Sequence, residues 1–247
     1  MEAIVSDIHA NLPALEAVLR DMQRFRVRRV VCLGDIVGYG PFPLECIDLA
    51  MGFEICLRGN HEDAVLFEPV GFNVRAEEAI HWTLKRLNDR SVEENLRRAR
   101  WNFLGDLKKF HSEGDILYVH GTPREPTREY LFPKDVTDRK RIESIFARIK
   151  RICFCGHTHI AGIFTPNGVL TPPVDRRIDL TGFEKVMVNV GAVGQPRDGD
   201  WRACYLLFDG VSVVYRRVPY DIERTINAIL ATPELDNYLA ERLRRGT

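Results

Sequence analysis

Apolar and polar residues change their rhythm twice along the chain. Up to about residue 60, short apolar runs alternate with amphipathic stretches. Residues 2–6, 29–33 and 53–57 read as strands. Between the first two, Leu12, Leu15, Val18, Leu19 and Met22 recur on one helical stripe. Asn11 stands ready to cap that helix, and Pro13 is tolerated in its first turn. Residues 43–51 form a second short helix. Strand-helix-strand alternation predicts parallel pairing with right-handed crossovers.

Residues 62–113 break this rhythm and read as helical. Ile80, Leu84 and Leu87 recur at helical spacing, and Ser91 with Glu94 predicts a capping box. Strands return at 116–119 and 152–155. From about residue 160 the pattern becomes hairpins. Pro166, Asn167 and Gly168 join two short strands, and Asp209-Gly210 joins 203–208 to 211–218. Two short helices follow, one after Asp221 and one after Thr232-Pro233. The expectation is a single α/β domain over 1–247, with a helical insertion at 62–113 and an antiparallel second half.

Composition narrows the class. At 45% hydrophobic and 28% charged residues over 247 positions, the chain reads as an ordinary soluble globular protein. Lysine plus arginine equals aspartate plus glutamate, 35 each, so no global field attracts nucleic acid or membrane. Local basic clusters at 24–29, 97–100 and 139–141 read as solvated faces. The first apolar residues already belong to a strand, with no signal core or spanning helix before it, so the expected compartment is the cytoplasm. Cys32, Cys46, Cys56, Cys153, Cys155 and Cys204 lie mostly in apolar runs, as buried free thiols do. Cys153 and Cys155 share one strand face near His157, but that face is expected to be core rather than a zinc knuckle.

The chemistry gathers where strands end. Residues 3–6 lead to Asp7 and His9, and 30–34 to Asp35. Residues 55–59 lead to Asn60 and His61, 117–119 to His120, and 153–156 to His157 and His159. In a mainly parallel sheet the carboxyl ends of strands face one edge, where ligands bind. His81 and His111 fall outside this pattern and receive no role. Two aspartates, one asparagine and four histidines, without thiolate, suit divalent manganese, iron, cobalt, nickel or zinc; calcium and magnesium prefer oxygen alone. Seven ligating side chains exceed one tetrahedral site and divide into two that share a carboxylate. Such sharing holds two cations about 3.5–4 Å apart, a separation suited to in-line displacement at phosphorus.

Asp7-x-His9, Gly34-Asp35, Gly59-Asn60-His61-Glu62, His120 and Gly156-His157-Thr158-His159 resemble, in order and spacing, the signature blocks of the calcineurin-like metallophosphoesterase superfamily. The resemblance implies a four-layer αββα sandwich of two mixed sheets. It implies Asp7, His9, Asp35 and His159 around one metal, and Asp35, Asn60, His120 and His157 around the other. It further implies a metal-bridging hydroxide as nucleophile, and His61 as a non-ligand that hydrogen-bonds phosphate and protonates the leaving oxygen. Two divalent transition ions (manganese, iron, zinc, cobalt or nickel) are the implied cofactors, and a small phosphate ester the implied partner.

The likeness has branches. Where protein serine/threonine phosphatases carry an aspartate and a phosphate-binding arginine, this chain has Gly38 and Tyr39, while Arg58 matches a second phosphate-contacting arginine. Gly38-Tyr39-Gly40-Pro41 resembles the small bacterial branch labelled diadenosine-tetraphosphatase-like or phosphodiesterase-like. Asn60, Arg58 and Tyr39 are accordingly expected to meet substrate. Two rivals remain. A non-catalytic scaffold on this fold, like the retromer subunit, has lost the histidine that His61 retains. A nuclease of the superfamily generally carries an additional DNA-capping domain, and neutral net charge does not favour tracking a phosphate backbone.

Overall fold

In the first strand, β1 (Glu2–Val5), successive side chains face opposite ways, as the pleat requires. Ala3 and Val5 pack among helices, and Ile4 packs against a second sheet. The computed structural model describes residues 1–247. After β1 come α1 (Leu12–Met22), β2 (Arg29–Cys32), α2 (Pro43–Ala50) and the two-residue β3 (Ile55–Cys56). Three helices follow: α3 (Asn60–Leu66), α4 (Val74–Leu87) and α5 (Glu94–Asp106). Then come β4 (Phe110–Glu113), β5 (Ile116–Val119), α6 (Arg139–Phe146) and β6 (Ile152–Cys155). The rest is mostly strand: β7 (Gly162–Thr165), β8 (Gly168–Leu170), β9 (Arg177–Asp179), β10 (Val186–Asn189), β11 (Ala203–Phe208) and β12 (Ser212–Val218). The last helices are α7 (Ile222–Leu230) and α8 (Tyr238–Arg245).

The strands form two six-stranded mixed sheets, ordered β3-β2-β1-β11-β12-β9 and β4-β5-β6-β10-β7-β8. Alternation builds the layers. Ile4, Leu206 and Phe208 of the first sheet meet Tyr118, Phe154 and Val188 of the second in a dry seam. The opposite face of the first sheet, with Val5, Tyr205 and Leu207, packs on α1 and α2. The opposite face of the second, with Val119, Cys153, Cys155 and Met187, packs on Ile142, Ile145 and Phe146 of α6. This is the expected four-layer sandwich. All six cysteines are free, and Cys153 and Cys155 lie in the core rather than at a metal site. No helix is long and apolar enough to cross a membrane.

Several local expectations are corrected. Residues 62–113 are not helical throughout, because Phe110–Glu113 forms an edge strand antiparallel to β5. The capping box fails: α5 begins at Glu94, and the Ser91 hydroxyl bonds Asp89 (2.7 Å). The second half is not purely antiparallel, since β10 pairs parallel with β6. Helix α6 takes up the basic cluster at 139–141 and runs on to Phe146. Asn11 does cap α1, accepting from the Ala14 amide at 3.3 Å.

Candidate metal centre

Each sheet contains three parallel strands, β1, β2 and β3 in one and β5, β6 and β10 in the other. The loops leaving their carboxyl ends meet across the seam. There the backbone is unusual: Asp7, His9, Asp35, His157 and His159 all have φ between +47° and +67°. For non-glycine residues this region costs about 1–2 kcal/mol each. Ala10 and Tyr39 share it, whereas Asp175 is the one such residue remote from these loops. Strain is therefore concentrated where the polar side chains converge.

Those side chains form two clusters joined at one atom. In the first, His159 Nε2 lies 3.2 Å and His9 Nε2 3.7 Å from Asp7 Oδ1, and the two ring nitrogens are 3.1 Å apart. In the second, His120 Nε2 lies 3.0 Å from His157 Nδ1, 3.1 Å from Asn60 Oδ1 and 3.3 Å from Asp35 Oδ2. Asp35 Oδ2 is also 3.7 Å from His9 Nε2, so it stands between the clusters. His61 Nε2 is farther from it, at 4.0 Å. All these residues are buried.

The donor chemistry calls for cations. His9 Nδ1 donates to the Val37 carbonyl (3.1 Å), and His159 Nδ1 to the Gln195 carbonyl (2.6 Å). Their Nε2 atoms consequently present lone pairs to each other, an arrangement a cation turns from repulsion to attraction. His157 Nε2 donates to the Arg128 carbonyl (3.0 Å), leaving its Nδ1 as acceptor. His120 Nε2 then faces three acceptors, which one N–H cannot serve. Asp7 Oδ1 is buried without any hydrogen-bond partner. The residues present thus fit divalent ions, four side chains to each cluster with Asp35 common to both.

Protonation follows the same logic. Burial alone would lower the His120 pKa, but the Asp35 and Asp7 charges outweigh it and push it up to about 9. His157 is pushed down to about 3 by burial and by His120. His61 falls to about 4, chiefly through burial, with Asp35 opposing. Gly38 seats the His61 ring: φ there is +87°, and a Cβ would meet His61 Nδ1 at 2.0 Å.

Two positioning residues lay outside the expected set. The Glu62 carboxylate accepts from the backbone N–H groups of Asp35 (2.8 Å), Ile36 (2.7 Å), Val37 (3.2 Å) and Gly59 (2.8 Å). It ties the Asp35 loop to the Asn60-His61 loop. Burial and the Asp35 charge push its pKa up to about 7 against these bonds. Asn189 pins the other ligand loop, donating to the Gly156 carbonyl (2.7 Å) and to Thr158 Oγ1 (2.9 Å). Glu62→Gln keeps the volume but turns an amide N–H toward backbone donors. We expect it to destabilise the fold by about 2 kcal/mol and to weaken ion retention. A denaturant midpoint with metal analysis tests this, and an unchanged midpoint would refute the bracing role.

A cavity of about 270 Å³ opens beside the second cluster, lined by Tyr39, Asn60, Phe72, Arg128, Tyr130 and His157 among others. Tyr130 stacks on His157, with ring centroids 3.7 Å apart. Tyr39 thus lines the cavity. Arg58 does not: its guanidinium donates to the Gly105 carbonyl (2.9 Å) and lies 3.7 Å from Asp63. Arg128, from the loop after β5, occupies the cavity wall and lies 3.8 Å from Asp63. Sequence offered no signal for Arg128 or Tyr130, because what brings their loop to the cavity is a set of tertiary contacts, among them those with His157, Asp63 and Arg141.

Known proteins share this architecture. An uncharacterised protein from Methanocaldococcus jannaschii is 37% identical over 257 aligned positions, covering 100% of this chain and 98% of that one. The crystal structure of a metallophosphoesterase from Sphaerobacter thermophilus superposes with a TM-score of 0.83 at 34% identity, covering 100% and 98% of the two chains. A hypothetical protein from Pyrococcus horikoshii OT3 has the same fold, with a TM-score of 0.78 at 19% identity and coverage of 100% and 99%. The calcineurin-like phosphoesterase superfamily domain matches residues 1–211, a span that holds every residue of the two clusters and all but the last of the sheet strands; the chain belongs to that superfamily.

Proposed function

We propose that the protein hydrolyses phosphate mono- or diesters with two divalent transition ions, and that Asp35 bridges them. One observation carries the reading: two sets of buried donor atoms, three of them ring nitrogens made lone-pair acceptors by their outer hydrogen bonds, meet at Asp35 Oδ2. Asp7, His9 and His159 complete one set; Asn60, His120 and His157 complete the other. When bound, such ions neutralise phosphate oxygens and acidify water at the centre. The chain supplies the rest. Buried and neutral before substrate arrives, His61 faces the same space and is placed to donate to the leaving-group oxygen. A phosphate dianion beside it raises its proton affinity. The adjoining cavity is small for a ligand site, so it accommodates one modest ester group, with the remainder of a larger substrate outside.

The scaffold alternative is less well supported, because the seated His61 and the open cavity serve no purpose in a purely structural protein. A panel of aryl and alkyl monoesters, diesters and dinucleotides assayed with added manganese decides the matter. Metal-dependent turnover of at least one class is expected, and none with any ion would refute the hydrolase reading.

Ion binding is expected to reach two equivalents per chain and to stabilise the fold. At a free concentration a hundredfold above Kd, each site contributes about 2.7 kcal/mol, and roughly 2–4 °C accompanies each kcal/mol in a chain of this size. Chelation of both ions should therefore lower Tm by about 10 °C or more. Elemental analysis plus a melting curve checks both, and saturation at one equivalent would overturn the dinuclear assignment.

A further inference from the structure

The loop after β10 carries an arginine without a carboxylate partner. The loop is stitched to His159 twice: the Gln195 carbonyl accepts from its ring at 2.6 Å, and the Arg197 amide donates to its carbonyl at 3.1 Å. Asp198 and Asp200, the neighbouring carboxylates, pair with Arg217 and Arg202. Arg197 is left with one neutral acceptor, Gln195 Oε1 at 2.8 Å, while its Nε is buried without a partner. Its Cζ lies 5.7 Å from the centre of the Tyr39 ring, which itself packs 4.7 Å from His9 and 4.6 Å from His61. Unlike Arg58 and Arg128, which each lie within 4.0 Å of Asp63, Arg197 has no carboxylate within that distance.

A part-buried guanidinium with an unmet donor is costly unless an anion completes it. The cost is increased by a second arginine: Arg242 of α8 is pushed down to about 10 by burial and then by the Arg197 charge. An anion lodged on the Tyr39 side of the centre would complete Arg197 and offset both guanidinium charges.

We propose that Arg197 is a phosphate-binding residue, holding a non-bridging oxygen of the substrate phosphate on the Tyr39 side of the metal centre. The choice of phosphate rests on the hydrolase reading above; the presence of an anion site does not. Guanidinium is suited to this because its fork presents two parallel donors to phosphate oxygens.

Orthophosphate is the probe. Its binding to manganese-loaded wild type, Arg197→Lys and Arg197→Gln is measured by calorimetry, alongside metal content and melting temperature. Arg197→Gln should weaken orthophosphate about 10–100-fold, the scale of a lost charge-assisted contact, at unchanged metal content. Arg197→Lys should recover part of the loss. Unchanged orthophosphate affinity in Arg197→Gln overturns the proposal. Loss of metal in parallel with affinity overturns it too, since Arg197 would then only be bracing His159. Arg197-dependent orthophosphate binding in a protein that hydrolyses no ester upholds the anion site and removes the hydrolase reading. Ester hydrolysis with KM and phosphate inhibition untouched by Arg197→Gln does the reverse.

Discussion

Asp35→Asn is expected to strip the protein of both ions and to lower turnover about 10³-fold or more, beyond the 10–100-fold typical of outer-shell partners. The reason is orientation as well as charge. Asp35 Oδ1 is held by the His61 backbone N–H at 2.9 Å. An asparagine that keeps this bond must turn its amide nitrogen to the position of Oδ2, 3.3 Å from His120 Nε2 and 3.7 Å from His9 Nε2. A donor then replaces the shared acceptor, and the bridging negative charge disappears. Metal analysis of the purified variant, with turnover of an aryl phosphate, is the measurement. Retention of two ions would remove Asp35 from its bridging place.

His61→Asn is expected to behave in the opposite way, keeping both ions while turnover falls about 10²–10⁴-fold, the range for lost general-acid assistance. Its Nε2 is 4.0 Å from Asp35 Oδ2, farther than those of His120 (3.3 Å) and His9 (3.7 Å). The distance still leaves His9, Asp35 and His61 grouped closely enough to hold an ion, so the metal content of the variant matters. The loss should shrink with a nitrophenolate leaving group, which hardly needs a proton, and grow with alkyl or nucleoside leaving groups. If His61→Asn loses an ion as readily as Asp35→Asn, His61 is a ligand. If both ions stay and every substrate turns over normally, the proton comes from elsewhere.

What the sequence made legible follows from how such a site is built. Strands buried on both faces end abruptly in polar residues, so Asp7, Asp35, Asn60, His120 and His157 announce themselves by position. Glu62 and Asn189 do not, because each acts on the backbone of a distant segment. Glu62 was visible as part of a motif, yet its four amide partners lie in another loop or at the start of its own helix. Ser91 and Glu94 have capping-box spacing, but Asp89 captures the serine hydroxyl and the helix starts later. Strand β4 hides because it is an edge: Phe110 is exposed, so no apolar alternation marks it. Positional likeness says nothing of a side chain's partners: Arg58 turns to Asp63 and the Gly105 carbonyl, outside the cavity that Asn60 lines.

That each cluster draws on both sheets also bears on how the protein matures. His159 emerges from the ribosome 150 residues after its cluster partner His9, a delay of roughly ten seconds or more at ordinary synthesis rates. Strand β1, which aims Asp7, waits longer still for its antiparallel neighbour β11. A nascent chain therefore presents one half of each donor cluster for several seconds before the other half is made. Because the two sheets are hydrogen-bonded independently of one another, each cluster can be completed only once both have formed, so its assembly waits on translation and folding alike.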